Sequence, residues 1–293
     1  MMRIPKKGVF YTLYTLVVLA VFLFLLFPSE EIKKYLAFKV STARPGYALT
    51  IDQVRPAFPP GLRLESADLL EGEIPVLSID EVRISPRLLS LLGPEPTIDF
   101  TGRLYSGIVH GEGSLLKGTP EGESPDRIRV DADLTDIHLE EIDPLQNVST
   151  HSVAGNLTGK VRYLGNPGSN TAEADLNLAD CTVEFGTPLF NLARISFAAV
   201  DAKLTLQDMT QLEVKECVAK GSQLGGDVSG AVTLRDPPEN SALNLAGTLK
   251  PHASLVAKLG EGVVSLLFRK NRGETAFPFR ITGTLAQPQF ALQ

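Results

Sequence analysis

The chain has no tryptophan, 7% aromatic residues and two cysteines among its 293 residues. Scarce aromatics leave no stacking platform for bases or sugars. Two cysteines are too few for a disulfide-built scaffold, so Cys181 and Cys217 read either as a pair in an oxidising compartment or as two small half-buried residues. The four histidines, His110, His138, His151 and His252, lack metal-ligand spacing, and no HExxH or CxxC accompanies them. A Walker loop, a G-x-S-x-G elbow and a strand-helix glycine fingerprint are also missing. His110 reads as a wet-face strand residue, and Asp131, Asp133, Glu140 and Glu141 as parts of a solvated face. With no catalytic, metal or cofactor signature, the chain reads as a non-enzyme. A formal net charge of −6 gives it no electrostatic footprint for nucleic acid.

Charge is absent from one further place. Val9 to Phe27 is an unbroken run without a charged residue, Gly or Pro. At about 1.5 Å per residue it spans roughly 28 Å, close to a bilayer's hydrocarbon core. Val9, Phe10, Leu13, Leu16, Val17, Leu19, Phe22, Leu25 and Phe27 supply its apolar surface. The run is longer than a signal-peptide core and ends Leu25-Leu26-Phe27-Pro28, without a small-x-small site, so it reads as an uncleaved anchor. Arg3, Lys6 and Lys7 precede it, and Glu30 and Glu31 follow it. Positive charge stays inside, which makes 1–8 a cytoplasmic tail, 9–27 a transmembrane helix and 28–293 a translocated domain.

That domain reads as mainly β. Apolar and polar residues alternate at Arg127–Leu134, Asn156–Tyr163, Leu212-Val214-Val218, Val228-Val232-Leu234 and Leu243-Leu245-Leu249. The phase slips at Asp80-Glu81, which predicts a β-bulge or a tight bend. Turn signals at Gly118-Thr-Pro, Asn166-Pro-Gly and Asp236-Pro-Pro separate the runs. Glycines 159, 230, 247 and 283 fall on the apolar phase, where a missing side chain lets a neighbour approach or the sheet coil.

Helices are few. Ser29 to about Val40 has a capping Ser, an acidic first turn, and Ile32, Leu36 and Val40 on one face. Ser85–Gly93 has Ser at the cap, Pro at the first turn and Gly at the stop. His252–Asn271 carries an apolar stripe of Leu255, Val256, Leu259, Val263, Leu266 and Leu267, which suits a lid on the sheet.

The order of basic tail, anchor, Pro59–Leu70, Pro75–Ile84 and the Leu88–Leu92 segment resembles the start of AsmA-type proteins. Phe100–Gly113, Gly186–Phe197 and the ending Ala276–Phe290 are similar to the type II secretion system protein N family, also called general secretion pathway protein N. The resemblance implies a bitopic inner-membrane protein with a large curved antiparallel sheet in the periplasm, touching other secretion-system proteins. It carries no catalytic residues. AsmA-type relatives imply a second role, an apolar groove for phospholipid between the inner and outer membranes. Here that groove would be lined by Leu157, Val161, Val228, Val232, Leu245 and Leu249.

Overall fold

The computed structural model describes residues 10–11, 14–15, 18, 22, 26–57, 60–118, 126–147, 151–166, 168–189, 192–252, 255 and 276–292. After the helix α1 (Ser29–Ala43) come six strands: β1 (Tyr47–Ala57), β2 (Gly61–Glu71), β3 (Ile74–Pro86), β4 (Thr97–Leu104), β5 (Gly107–Leu116) and β6 (Arg127–His138). A short helix α2 (Asp143–Asn147) leads to β7 (His151–Asn166), β8 (Ser169–Leu189), β9 (Leu192–Gln207) and β10 (Gln211–Lys220). The chain then adds β11 (Leu224–Thr233), β12 (Ala242–Pro251), β13 (Phe277–Thr284) and β14 (Pro288–Leu292). These fourteen strands form one antiparallel sheet in sequence order, and β1 does not pair with β14. The mainly β expectation holds.

Most neighbouring strands are joined by short connections, since antiparallel pairing needs only a hairpin; the longest interval, between β12 and β13, covers residues 252–276. Successive side chains alternate between faces, so the apolar phase of each strand selects its register. Where the phase slips, two devices absorb it. At Glu65–Ala67 of β2 and Ile79–Glu81 of β3 the register is unbroken, and Ser66 sits at φ +51°. The slip at Asp80-Glu81 is therefore a bend shared by adjacent strands, not an inserted residue. True bulges occur between Leu134 and Ile137, between Ala154 and Asn156, and between Val214 and Glu216. Asp136 (φ +56°) and Gly155 (φ +143°) take the left-handed backbone at the first two.

The glycines on the apolar phase have a steric reason. A Cβ on Gly159, Gly230, Gly247 or Gly283 would run into the carbonyl oxygen of Asp175, Asn244, Asp227 or Gln287, respectively. Each glycine admits a close backbone approach on the apolar side.

Helix α1 packs on β1. Ile32, Leu36 and Val40 are half-buried, as the periodicity predicts. The cap differs from expectation: Pro28 holds the N-cap position and Ser29 is already helical, with no side-chain capping bond. The first turn is stabilised instead by Lys33–Glu30 (2.8 Å) and Lys34–Glu31 (3.1 Å).

The predicted helix at Ser85–Gly93 is corrected. Ser85 and Pro86 belong to β3, pairing with Asp99 and Ile98 of β4, and only Ser90–Leu92 forms a 3-10 turn. Gly93-Pro94 ends the segment before a helical nucleus can repay its entropy.

Of the anchor residues, Phe10 and Phe22 are helical and exposed, and Phe27 lies outside the helix. Val9, Leu13, Leu16, Val17, Leu19 and Leu25 lie outside the described residues. Among the described residues, no helix is long and apolar enough to cross a membrane. From the His252–Asn271 stripe only Leu255 is described; it is helical and buried, while Val256, Leu259, Val263, Leu266 and Leu267 lie outside.

Candidate functional site: two faces of one sheet

Residues opposite one another on adjacent strands share a face, so the register can be followed across the whole sheet. Starting at Val54, the ladder passes Leu64, Val82, Gly102, Val109, Leu134 and Gly159. It continues through Leu176, Ala202, Cys217, Val228, Gly247, Phe279 and Leu292. Every strand contributes one residue, and none of the fourteen is charged or carries a hydroxyl or amide. One apolar row runs from edge to edge.

The six residues predicted to line a groove all fall on this face. Leu157 and Leu249 lie on a single row, joined through Leu178, Val200, Ala219 and Gly226. Val161 and Leu245 lie on another, joined through Ala174, Leu204, Val214 and Gly230. Val228 belongs to the edge-to-edge row, and Val232 sits between Leu212 and Leu243. Val232 is buried, and the other five are half-buried. Val218, predicted to share the face of Leu212 and Val214, is on the opposite one, because the bulge shifts the phase and Cys217 takes its place. A bulge inserts one residue that periodicity alone does not reveal.

The other face is a lattice of cross-strand ion pairs. Arg87 meets Asp99 (2.6 Å) and Glu112 (2.7 Å), and Arg162 meets Asp131 (2.9 Å). Lys203 meets Glu216 (2.9 Å), and Lys220 meets Asp201 (2.9 Å). The Lys220 and Asn177 hydrogen bonds hold the Asp201 carboxyl below the usual range, and Glu216 raises the Lys203 ammonium. Such exposed pairs contribute little stability; they keep the face wet and mixed in sign. A shallow depression of about 680 Å³ on this face is lined by Lys203, Lys220, Asp201 and Glu216 among others, and those charges are already paired.

His110 is exposed, with Nδ1 2.9 Å from Thr101 Oγ1, as a wet-face strand residue should be. Asp133 faces Lys160 at 3.6 Å. Glu140 and Glu141 depart from expectation by standing on a 3-10 turn after β6 instead of a strand face. Backbone hydrogen bonds lower the Glu140 carboxyl, with Gly155 N–H donating at 3.2 Å. Cys181 and Cys217 are free thiols on the apolar side of β8 and β10. Burial pushes both thiols up, which keeps them neutral and poorly nucleophilic. Among the described residues, no group of His, Cys, Asp and Glu is placed to hold a metal ion.

The sheet offers two surfaces of opposite character, a long apolar face and a polar face of paired charges. No family model, curated protein or solved structure matches the chain.

Proposed function

We propose that this chain is a bitopic inner-membrane component of the type II secretion machinery, anchored by residues 9–27 and acting in the periplasm through the surfaces of its sheet. The observation that carries this reading is an open fourteen-strand antiparallel sheet with one face laced by ion pairs. That architecture is what the similarity of Phe100–Gly113, Gly186–Phe197 and Ala276–Phe290 to the protein N family leads one to expect. Its polar face offers mixed charge for recognising partner proteins, and the protein acts as a scaffold without turnover. The close backbone approach at four apolar-phase glycines supports a sheet that curls towards its apolar side. Deletion of the chain in its own cell should abolish or sharply reduce release of type II exoproteins into the medium. Undiminished release contradicts the reading.

A second reading is favoured by one specific observation, the apolar face built by the edge-to-edge row and the rows beside it, with half-buried members at Leu157, Val161, Val228, Leu245 and Leu249. It makes the sheet an AsmA-like lipid-handling surface that shields acyl chains between the two membranes. Mass spectrometry of the detergent-purified full chain distinguishes the two. Stoichiometric phospholipid would favour the lipid reading, and lipid-free protein the scaffold.

A further inference from the structure

The largest exposure of apolar side chains in the described molecule is at the connection between β3 and β4. Leu89 and Leu92 are 90% and 92% exposed, and Leu88 and Leu91 are exposed as well. The turn that carries them is fixed by hydrogen bonds. Ser90 Oγ donates to the Arg87 carbonyl (2.7 Å) and accepts from the Thr97 N–H (2.8 Å), and Gly93 N–H closes onto Ser90 O at 2.9 Å. Arg87 is itself held by Asp99 and Glu112. Four leucines held in water by a built turn mark a contact site.

Connectivity says what they meet. Helix α1 joins β1 through the three residues Arg44–Gly46 and packs back on that strand, so helix and strand run antiparallel. At about 1.5 Å per helical residue and about 3.3 Å per strand residue, α1 reaches back roughly 22 Å along a strand of roughly 36 Å. Ser29, and with it the end of the apolar run 9–27, therefore lies toward the Ala57 end of β1. Strand β3 runs parallel to β1, two strands away, so the turn after Pro86 projects from that same end. The leucines and the point where the chain leaves its anchor lie toward the same end of the sheet. The patch is purely aliphatic and its nearest arginine is consumed by two carboxylates, a poor match to the aromatic and arginine anchors of protein interfaces and a good one to an acyl boundary.

We propose that the Leu88–Leu92 turn is a second membrane contact, its leucines entering the interfacial zone of the bilayer that holds residues 9–27. This rests on the anchor reading above. With two contacts at one end, the sheet stands on the membrane and its apolar face begins at the lipid.

The chain has no tryptophan, so single substitutions report position cleanly. The full chain carrying Phe22→Trp, Leu89→Trp, Leu92→Trp or Ile74→Trp is reconstituted in phosphatidylcholine–phosphatidylglycerol vesicles, with and without brominated acyl chains. Ile74 is the control, 65% exposed at the opposite end of β3. The expected result is at least twofold bromine quenching at positions 22, 89 and 92, and none at 74. Quenching at 22 without quenching at 89 and 92 overturns the proposal and leaves the anchor standing. No quenching at 22 overturns the anchor, and this proposal with it. Equal quenching at 74 and 89 also overturns it, since the sheet would then lie flat on the bilayer.

Discussion

The two faces of the sheet are made by the same strands, yet they spend their residues in opposite ways. On β11, Val228 and Val232 face the apolar side while Ser229 faces water; on β7, Val161 is apolar-side and Lys160 meets Asp133. Stability sits on the first face and solubility on the second. Burial of an apolar side chain contributes about 1.5–3 kcal/mol when complete, whereas exposed ion pairs largely exchange one solvation for another. A protein with this division can change its polar face freely and its apolar face hardly at all.

The largest expected break of that asymmetry is a charge on the buried row. Val232→Asp should cost about 3 kcal/mol or more, because a carboxylate placed among apolar neighbours is unpaired. Ser229→Asp, three residues away on the wet face, should stay within about 0.5 kcal/mol. Urea midpoints followed by circular dichroism compare them, and equal losses would mean that the faces are not distinct. Next is Gly247→Val. Its Cβ would meet the Asp227 carbonyl oxygen and the Phe279 ring, so overpacking should cost about 1–3 kcal/mol. Ala246→Val on the exposed side should cost little in the same assay.

The thiols sharpen the comparison without destabilising anything. Burial favours the neutral thiol, so Cys181 and Cys217 should react with a disulfide reagent at pH 8 far more slowly in the folded chain than in urea. Rapid labelling of the native chain would show the apolar face to be open to water-borne reagents. The smallest effect belongs to the wet face. The Asp201 carboxyl should titrate below its ordinary value of 3.8 by NMR, and Lys220→Met should move it back up. Because the folded carboxyl is depressed, its stabilisation is complete above 3.8 and is lost as the pH falls through the lower folded value. An unchanged midpoint in the variant would remove Lys220 as the cause.

Much of this division is legible from alternation. Arg127–Leu134 predicts its strand, and the six groove positions fall on a single face, because a period of two fixes which side each residue takes. What alternation misses is local. The bulge before Cys217 moves Val218 to the wet side, and no residue type announces it. The Ser85-Pro86 start looks like a helix cap, but pairing with Asp99 and Ile98 outweighs a segment too short to nucleate. The leucines at 88–92 are exposed because the short 3-10 turn, unlike a longer helix, gives them no common face to bury. The order of the fourteen strands is a long-range property that no local pattern encodes; the tendency of consecutive strands to pair makes the sequential order the simplest outcome.

The most direct test of the proposed secretion role is photo-cross-linking in living cells from two adjacent positions of β7. A probe at Lys160 should capture other proteins of the secretion apparatus, while one at Val161, on the opposite face, should capture none of them. A Lys160 probe that yields no secretion protein, in cells actively exporting, would contradict the account.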